Sequence, residues 1–211
     1  MRRFPKRKGT TDRTNPLDRS YLLNREWKYG RLVCGCYPFS RVQELIEFWG
    51  IDVFVDLTEG GERSWVVGNI KPYTPDLPEG VEHISIPMPN GTAATQEWLH
   101  LVADTIHDHM KQNQTIYLHC HAGVGRTGMA ALAYLIKWRG LLWDSAREHI
   151  QRQRIIMFNS FTEMGMNEGL HGFRPSPRKA PQLDAVWVFY CSIRNIQKPR
   201  VKITQFSSVG D

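Results

Sequence analysis

Cys120 and Arg126 stand six residues apart in the run 119–128, which reads His-Cys-His-Ala-Gly-Val-Gly-Arg-Thr-Gly. Gly123 and Gly125, which lie between them, permit backbone angles that other residues resist, so this segment can curl tightly. A curled loop turns successive backbone N–H groups inward, where they bind anions. The guanidinium group of Arg126 can hold two oxygens of one phosphate or sulfate. The spacing therefore predicts an anion-binding loop that contains a thiol.

The segments on either side indicate how this loop is held. Residues 115–118, Thr-Ile-Tyr-Leu, are typical of a buried strand, and residues 129–138 are typical of a helix. A helix that begins near Arg126 adds unpaired N–H groups and the positive end of its dipole. This field favours a thiolate, so we expect the pKa of Cys120 to lie below the usual cysteine value of about 8.5. A nucleophilic sulfur in an anion site indicates attack on phosphorus.

The motif His-Cys-x5-Arg-Thr at residues 119–127 resembles the phosphate-binding loop of the cysteine-dependent protein tyrosine phosphatase superfamily. We call residues 120–126 the phosphate loop. The sequence from Cys120 to Gly128 follows the pattern of the tyrosine-specific branch, apart from His121, where that branch usually has serine. The chain is shorter than the usual tyrosine-specific domain and lacks that branch's other motifs. It is therefore more similar to the compact dual-specificity-like group, and the resemblance in layout spans residues 20–196.

The resemblance implies a two-step reaction through a cysteinyl-phosphate. The thiolate of Cys120 would attack phosphorus, and water would then attack the intermediate. The Thr127 hydroxyl would hydrogen-bond the sulfur and help it leave, and His119 would help to position the loop and lower the pKa of Cys120. The phosphate oxygens would be held by the Arg126 side chain and by the backbone N–H groups of His121, Ala122, Gly123, Val124, Gly125 and Arg126.

The expected general acid, which protonates the leaving oxygen, is missing from its usual place. In the family an aspartate commonly supplies the proton from the loop after the strand that precedes the phosphate-loop strand. We call this loop, residues 87–95, the acid loop; it contains no acidic residue, and Met88 lies near the expected position. We predict Glu62, on the neighbouring loop, as the general acid, with Glu59 and Asp56 as alternatives.

Other interpretations of the motif are less favoured. A buried structural cysteine beside a glycine-rich helix cap would leave the spacing, both glycines and the arginine unexplained. A rhodanese-like sulfur carrier resembles this loop but has fewer residues between cysteine and arginine. The RNA triphosphatase branch has His-Gly and Asn where this chain has Ala122-Gly123 and Gly125. Phosphoinositide phosphatases of the superfamily often place lysines inside the loop, whereas His121 and Val124 are uncharged at neutral pH.

The leading prediction is a protein phosphatase that hydrolyses phosphotyrosine, with phosphoserine and phosphothreonine as further candidate substrates. The expected partner is a phosphorylated protein. The alternative from another class is a catalytically weak pseudophosphatase that acts as a phosphate-binding module. The missing acid supports this alternative, whereas the intact Cys120, Arg126 and Thr127 oppose it.

Composition sets limits on the location and cofactors. The chain has 211 residues, 41% of them hydrophobic, which suits one domain with tails. It has only four cysteines, Cys34, Cys36, Cys120 and Cys191, which is too few for a disulfide framework, and an active thiolate needs a reducing compartment. We found no apolar signal region or membrane-length apolar run. We expect a cytoplasmic protein, with the nucleus as an alternative, that binds no membrane, metal or cofactor.

The basic charge is concentrated at one end of the chain. Residues 1–19 hold seven Lys and Arg against two Asp, while the whole chain carries a formal charge of +6. We predict a basic flexible tail at 1–19, a phosphatase-like domain at 20–196 and a C-terminal tail at 197–211. Nuclear targeting, or contact of the basic tail with nucleic acid or anionic lipid, is the less favoured interpretation.

Strands alternate with helices along the chain, which predicts an α/β fold with a central, mostly parallel twisted sheet and helices on both faces. The predicted strands are 26–36, 51–57, 83–87 and 115–120. The predicted helices are 41–49, 96–111, 126–139, 144–154 and 182–196, and residues 157–180 are predicted to form a loop. Because ligands bind beyond the carboxyl ends of parallel strands, the loops after Leu57, Pro87 and Leu118 should share one rim.

Overall fold

The computed structural model describes residues 20–23, 30–64, 68–163, 176, 177 and 179–196. The strands in these residues are β1 (Tyr21–Leu22), β2 (Arg31–Gly35), β3 (Val53–Asp56), β4 (Arg63–Ser64), β5 (Gly68–Asn69), β6 (Glu82–Ser85) and β7 (Thr115–His119). The helices are α1 (Val42–Trp49), α2 (Gln96–Lys111), α3 (Gly125–Lys137), α4 (Trp143–Glu163) and α5 (Ala180–Ile193).

Five strands form the central sheet in the order β1-β2-β7-β3-β6. The pairs β2–β7, β7–β3 and β3–β6 are parallel, and β1 is an antiparallel edge strand. β7 lies between β2 and β3, with His119 opposite Gly35 on one side and Asp56 on the other. The strand that leads into the phosphate loop is therefore in the middle of the sheet, where its end is held from both sides.

Helices cover both faces of the sheet, which confirms the predicted fold class. Phe54 and Tyr117 point to the face covered by α1, where they join a cluster with Val42 and Leu45. Their neighbours along β3 and β7 point to the other face, because side chains alternate along a strand. On that face they join a second hydrophobic cluster, which contains the buried side chains of α3. Helix α3 packs against α2, α4 and α5.

Local signals set several boundaries. The Thr95 hydroxyl accepts a hydrogen bond from the Trp98 N–H at 3.2 Å and caps α2. Gly50 ends α1 in the left-handed conformation. At the start of α1, Arg41 occupies the N-cap position and makes no side-chain capping bond.

Two long connections differ from the prediction. The helix predicted to end near residue 154 continues to Glu163, so residues 157–163 are helical rather than part of a loop. The sequence from Trp143 to Glu163 contains no glycine or proline that would stop it. Residues 164–175 and 178, like both predicted tails, lie outside the described residues. The connection before β6 holds the β4–β5 pair and a 3-10 turn at Thr74–Asp76. In the described part of the chain, no helix is long and apolar enough to cross a membrane.

Candidate active site

The phosphate loop runs from the end of β7 to the first turn of α3. Gly123 has a φ of 68° and packs so closely on the end of β2 that a Cβ would lie 2.5 Å from the Gly35 carbonyl oxygen. Only glycine combines this backbone angle with this approach. Two carbonyls of the loop accept hydrogen bonds from groups outside it. The Tyr37 N–H donates to His121 O at 3.1 Å, and the Ser176 hydroxyl donates to Val124 O at 2.6 Å. Outward carbonyls are expected of a loop that lines its inner side with N–H groups.

Arg126 is held at the rim that the sequence predicted. Its side chain is buried, with 2% of its surface exposed. Nη1 donates to Leu57 O at 3.1 Å and to Met88 O at 3.0 Å, so one guanidinium joins the loops that follow β3 and β6 to the phosphate loop. The three loops therefore share one rim. Nε of Arg126 is buried and has no hydrogen-bond partner among the described residues.

Glu62 forms a two-point ion pair with Arg126. Oε1 accepts from Nη2 at 2.6 Å and Oε2 accepts from Nη1 at 2.7 Å, and both side chains are almost fully buried. Sequence analysis predicted Glu62 as the general acid. A carboxylate that accepts two hydrogen bonds from a guanidinium holds no proton to give, so this placement suits a positioning group and not a proton donor.

Cys120 lies beside the Arg126 side chain and is 3% exposed. Burial by itself would lower the pKa of Arg126, but the hydrogen bonds to Glu62 and the interaction with the Cys120 sulfur outweigh it and raise the pKa. The guanidinium is therefore always charged, and the thiol lies within its field. The predicted ionisation of Cys120 stays a prediction.

His119 is fully buried under the phosphate loop. Its Nε2 lies 2.7 Å from the hydroxyl oxygen of Tyr73, and its Nδ1 lies 3.8 Å from Oδ1 of Asp56. Burial lowers the pKa of His119 to about 4 despite the nearby Asp56, so the ring is neutral at pH 7 and its contact with Asp56 is not an ion pair. Burial and Asp56 raise the pKa of Tyr73, so its hydroxyl keeps its proton and can donate to Nε2.

Asp56, one of the alternative acids, is placed where it cannot hold a proton. Burial alone would raise its pKa, but His119, His83 and Thr58 outweigh burial and lower the pKa to about 2. Its Oδ1 accepts hydrogen bonds from the N–H and the hydroxyl of Thr58, at 2.8 and 2.7 Å. These bonds stabilise the charged form and hold the turn that follows β3.

The Thr127 hydroxyl is buried, and it makes no hydrogen bond with the described residues. The bond from this hydroxyl to the Cys120 sulfur, which the resemblance implies, is therefore not formed in this structure. Thr127 lies in the first turn of α3, next to Arg126, so its backbone is fixed by the helix. Its role in the reaction stays a prediction.

The acid loop contributes backbone groups and no carboxylate. Met88 is buried, and its carbonyl accepts from Arg126. The Asn90 N–H donates to Oε2 of Glu59 at 3.3 Å, so a carboxylate from the loop after β3 reaches the acid loop. Glu59 is exposed, and its own N–H donates to Glu62 Oε2 at 3.4 Å.

Two residues near the site were missed by sequence analysis. Tyr73 is one of them, and its partner His119 lies 46 positions away. Gln182 was assigned only to the start of the last helix, yet its buried amide lies against the phosphate loop: a Cβ on Gly125 would meet Nε2 at 2.9 Å. No local pattern identifies either contact, because both depend on the packing of distant elements.

No group of three or more His, Cys, Asp or Glu side chains that could hold a metal ion occurs in the described ranges. The four cysteines are buried and form no disulfide. The site thus combines the Cys120 thiol and a fixed guanidinium with a curled loop whose inner side is predicted to present backbone N–H groups. The prediction that no metal or cofactor is needed remains open to experiment.

Comparison with solved structures identifies the fold. Tk-PTP in its active form matches with a TM-score of 0.51 and 25% identity, over 68% of this chain and 96% of that chain. PTPMT1, solved in complex with PI(5)P, matches with a TM-score of 0.59 and 18% identity, over 81% of this chain and 98% of that chain. The second likeness concerns the fold alone, since its identity is low.

Relatives are also found by sequence. Dual specificity protein phosphatase 1 of Homo sapiens is 29% identical over 99 residues, which are 46% of this chain and 27% of that protein. Dual specificity protein phosphatase 21 of Homo sapiens is 32% identical over 97 residues, 42% of this chain and 48% of that protein. The chain thus spans between about a quarter and about half of the length of these relatives.

The match to a family model covers most of the site. The model described as "Dual specificity phosphatase, catalytic domain" matches residues 36–166, which is more than half of the chain. These residues include both rim loops, the phosphate loop and α3. The chain therefore belongs to the dual specificity phosphatase catalytic-domain family within the cysteine-dependent protein tyrosine phosphatase superfamily.

Proposed function

We propose that the protein is a cysteine-dependent phosphatase that hydrolyses phosphotyrosine in proteins, with phosphoserine and phosphothreonine as further substrates. One observation carries the proposal: four hydrogen bonds fix the Arg126 guanidinium beside the Cys120 sulfur, at the rim where three loops meet. A structural cysteine has no need of a buried, charged and immobilised partner, whereas phosphoryl transfer does. Membership of the dual specificity phosphatase family supports the same activity.

We assign phosphate binding to the phosphate loop and to the Arg126 side chain. The N–H groups of residues 121–126 bind the equatorial oxygens, as does the Arg126 Nε, which has no partner among the described residues. The ion pair with Glu62 and the carbonyls of Leu57 and Met88 hold the guanidinium before substrate arrives, so little reorganisation is needed. This preorganisation stabilises the charge that develops in the transition state.

The first chemical step forms a bond from the Cys120 sulfur to phosphorus and breaks the bond from phosphorus to the ester oxygen. In the second step, water attacks phosphorus and the sulfur leaves as the thiolate. We assign His119 and Tyr73 to positioning: their hydrogen bond fixes the ring next to Cys120. We assign the Thr127 hydroxyl to the second step, in which it donates to the departing sulfur.

A second candidate function is a pseudophosphatase that binds phosphorylated partners with little turnover. The acid loop favours it, because residues 87–95 contain no carboxylic acid. Without a general acid, a phosphotyrosine ester would bind in the phosphate loop, but its tyrosine oxygen would leave phosphorus slowly.

Two substrates separate these candidates. An activated ester such as 2,4-dinitrophenyl phosphate has a leaving group that needs no proton, whereas a phosphotyrosine peptide needs one. We expect the full chain to hydrolyse both, and Cys120→Ser to hydrolyse neither while still binding the peptide. Binding without hydrolysis of either ester by the wild-type chain would favour the pseudophosphatase. Turnover that survives Cys120→Ser would rule out the covalent mechanism.

A further inference from the structure

The proposed phosphatase activity leaves one proton without a donor. An ester oxygen of tyrosine or serine leaves as a strongly basic anion unless an acid protonates it, and such an acid accelerates the step by about 10² to 10⁴-fold. No residue of the acid loop can do this. The donor is therefore sought on another element at the same rim, and among the described residues the loop after β3 places carboxylates there.

Two of the three acids on that loop are committed to other partners. Asp56 is buried, accepts two hydrogen bonds from Thr58 and has a pKa of about 2, so it is ionised at neutral pH. Both carboxylate oxygens of Glu62 accept hydrogen bonds from Arg126. Neither can carry a proton to the leaving group without breaking the contacts that hold the site together.

Glu59 is the third acid, and it reaches the acid loop. Its Oε2 lies 3.3 Å from the N–H of Asn90, two residues after Met88, whose carbonyl binds Arg126. Its own N–H lies 3.4 Å from the Glu62 oxygen that also binds Arg126. The side chain is exposed, so it can exchange protons with solvent. A carboxyl group from the neighbouring loop thus contacts the acid loop, in which the family commonly carries its acid.

We propose that Glu59 is the general acid of this protein. In the first step its carboxyl O–H gives its proton to the ester oxygen while the bond from phosphorus to that oxygen breaks and the sulfur–phosphorus bond forms. In the second step the Glu59 carboxylate takes a proton from the attacking water, which restores the acid as the thiolate leaves. Glu59 therefore loses one proton and regains one in each turnover, and water is the only co-reactant.

Three other charged groups lie near this rim. Glu62, on the same loop as Glu59, is paired with Arg126. Lys179, next to the start of α5, lies close to the acid loop, since a Cβ on Gly91 would lie 2.6 Å from its Nζ.

The test compares Glu59→Gln with wild type on a phosphotyrosine peptide and on 2,4-dinitrophenyl phosphate. We expect kcat/KM for the peptide to fall by about a hundredfold or more, and kcat/KM for the activated ester to change by less than about threefold. The fall in kcat on the basic side of the pH profile should also disappear with the peptide. Glu79→Gln is the matched control, because Glu79 is an exposed carboxylate in the turn before β6, at the opposite end of the parallel strands from the rim.

The possible results separate the two proposals. If Glu59→Gln matches wild type on the peptide, Glu59 is not the acid, and the cysteine mechanism stands. If wild type hydrolyses only the activated ester, no acid operates and the assignment is overturned in the same way. If Glu59→Gln loses both activities equally, the residue supports the loop and is not a proton donor. Wild type that hydrolyses neither ester overturns the proposed function, and the assignment of Glu59 with it.

Discussion

Glu62 and Arg126 are joined by two hydrogen bonds of 2.7 and 2.6 Å, and the Glu62 carboxylate thereby connects the loop after β3 to the base of the phosphate loop. The pair is nearly fully buried, with side-chain exposures of 8% and 1%. Such a pair holds the guanidinium in one orientation, because a buried charge that loses its partner is costly. The orientation of Arg126 therefore depends on a residue 64 positions away in the chain.

Replacement of Glu62 by Gln should lower stability and activity together. The change leaves a buried guanidinium without its counter-charge, so we expect the free energy of unfolding to fall by about 3 kcal/mol. Activity should fall by a similar factor on an activated ester and on a phosphotyrosine peptide, because both need Arg126. Chemical denaturation and kcat/KM for both esters measure these effects. A selective loss on the peptide would instead indicate that Glu62 donates the proton.

The phosphate loop and its neighbours could be predicted because their signals are local. Thr95 caps α2 from within its own first turn, and Gly50 ends α1 through its own φ. The same holds for the loop itself, where the cysteine, the two glycines and the arginine lie within a few residues of one another. The parallel order of the strands then brings the loops after β3, β6 and β7 to one rim.

The partners of these residues could not be predicted, because they are set by long-range packing. Glu62, Glu59 and Asp56 lie within seven residues on one loop, and their sequence context gives them similar prospects as acids. The structure distinguishes them by what each carboxylate touches: a guanidinium, an exposed backbone N–H, or a buried threonine turn. Tyr73 likewise has no sequence signal for its contact with His119. Such distinctions require the positions of several elements at once.

His119 should make stability depend on pH between about 4 and 6.5. Its pKa is about 4 in the folded protein, below the ordinary value of 6.5. The unfolded chain therefore binds more protons in this window, and stability falls as the pH falls from 6.5 to 4. The loss from this one residue is on the order of 3 kcal/mol. A comparison of the free energy of unfolding at pH 7 and at pH 5 should show about 2 kcal/mol of this loss.

His119→Gln is the variant that isolates this contribution, because glutamine does not titrate. The difference in stability between pH 7 and pH 5 should be smaller in the variant than in wild type. Asp56 affects stability at lower pH. Its pKa is about 2 in the folded protein and 3.8 ordinarily, so its contribution to stability is present above pH 3.8 and is lost as the pH falls towards 2. An unchanged difference between pH 7 and pH 5 would show that other histidines cause the pH dependence.

Thr127→Val should slow the second step more than the first. Valine has the shape of threonine without the hydroxyl, and that hydroxyl is buried and makes no hydrogen bond with the described residues. Loss of the hydroxyl should therefore leave the fold intact, and thermal unfolding should shift little. Pre-steady-state hydrolysis of 2,4-dinitrophenyl phosphate should show a burst larger than in wild type, because the cysteinyl-phosphate accumulates. A smaller burst with the same steady-state rate would place Thr127 outside the second step.

Gly123→Ala should abolish phosphate binding, whereas Gly140→Ala, its matched control, should not. Gly123 and Gly140 have nearly the same φ, 68° and 66°, so an alanine at either position meets a similar backbone cost of about 1 kcal/mol. Only at Gly123 would the new methyl meet the backbone of β2, 2.5 Å from the Gly35 carbonyl oxygen, whereas no atom lies within 4 Å at Gly140. We expect Gly140→Ala to keep wild-type kcat/KM, and Gly123→Ala to lose both hydrolysis and the binding of tungstate measured by calorimetry. Equal activity of the two variants would mean that the loop can move away from β2 and still hold an oxyanion.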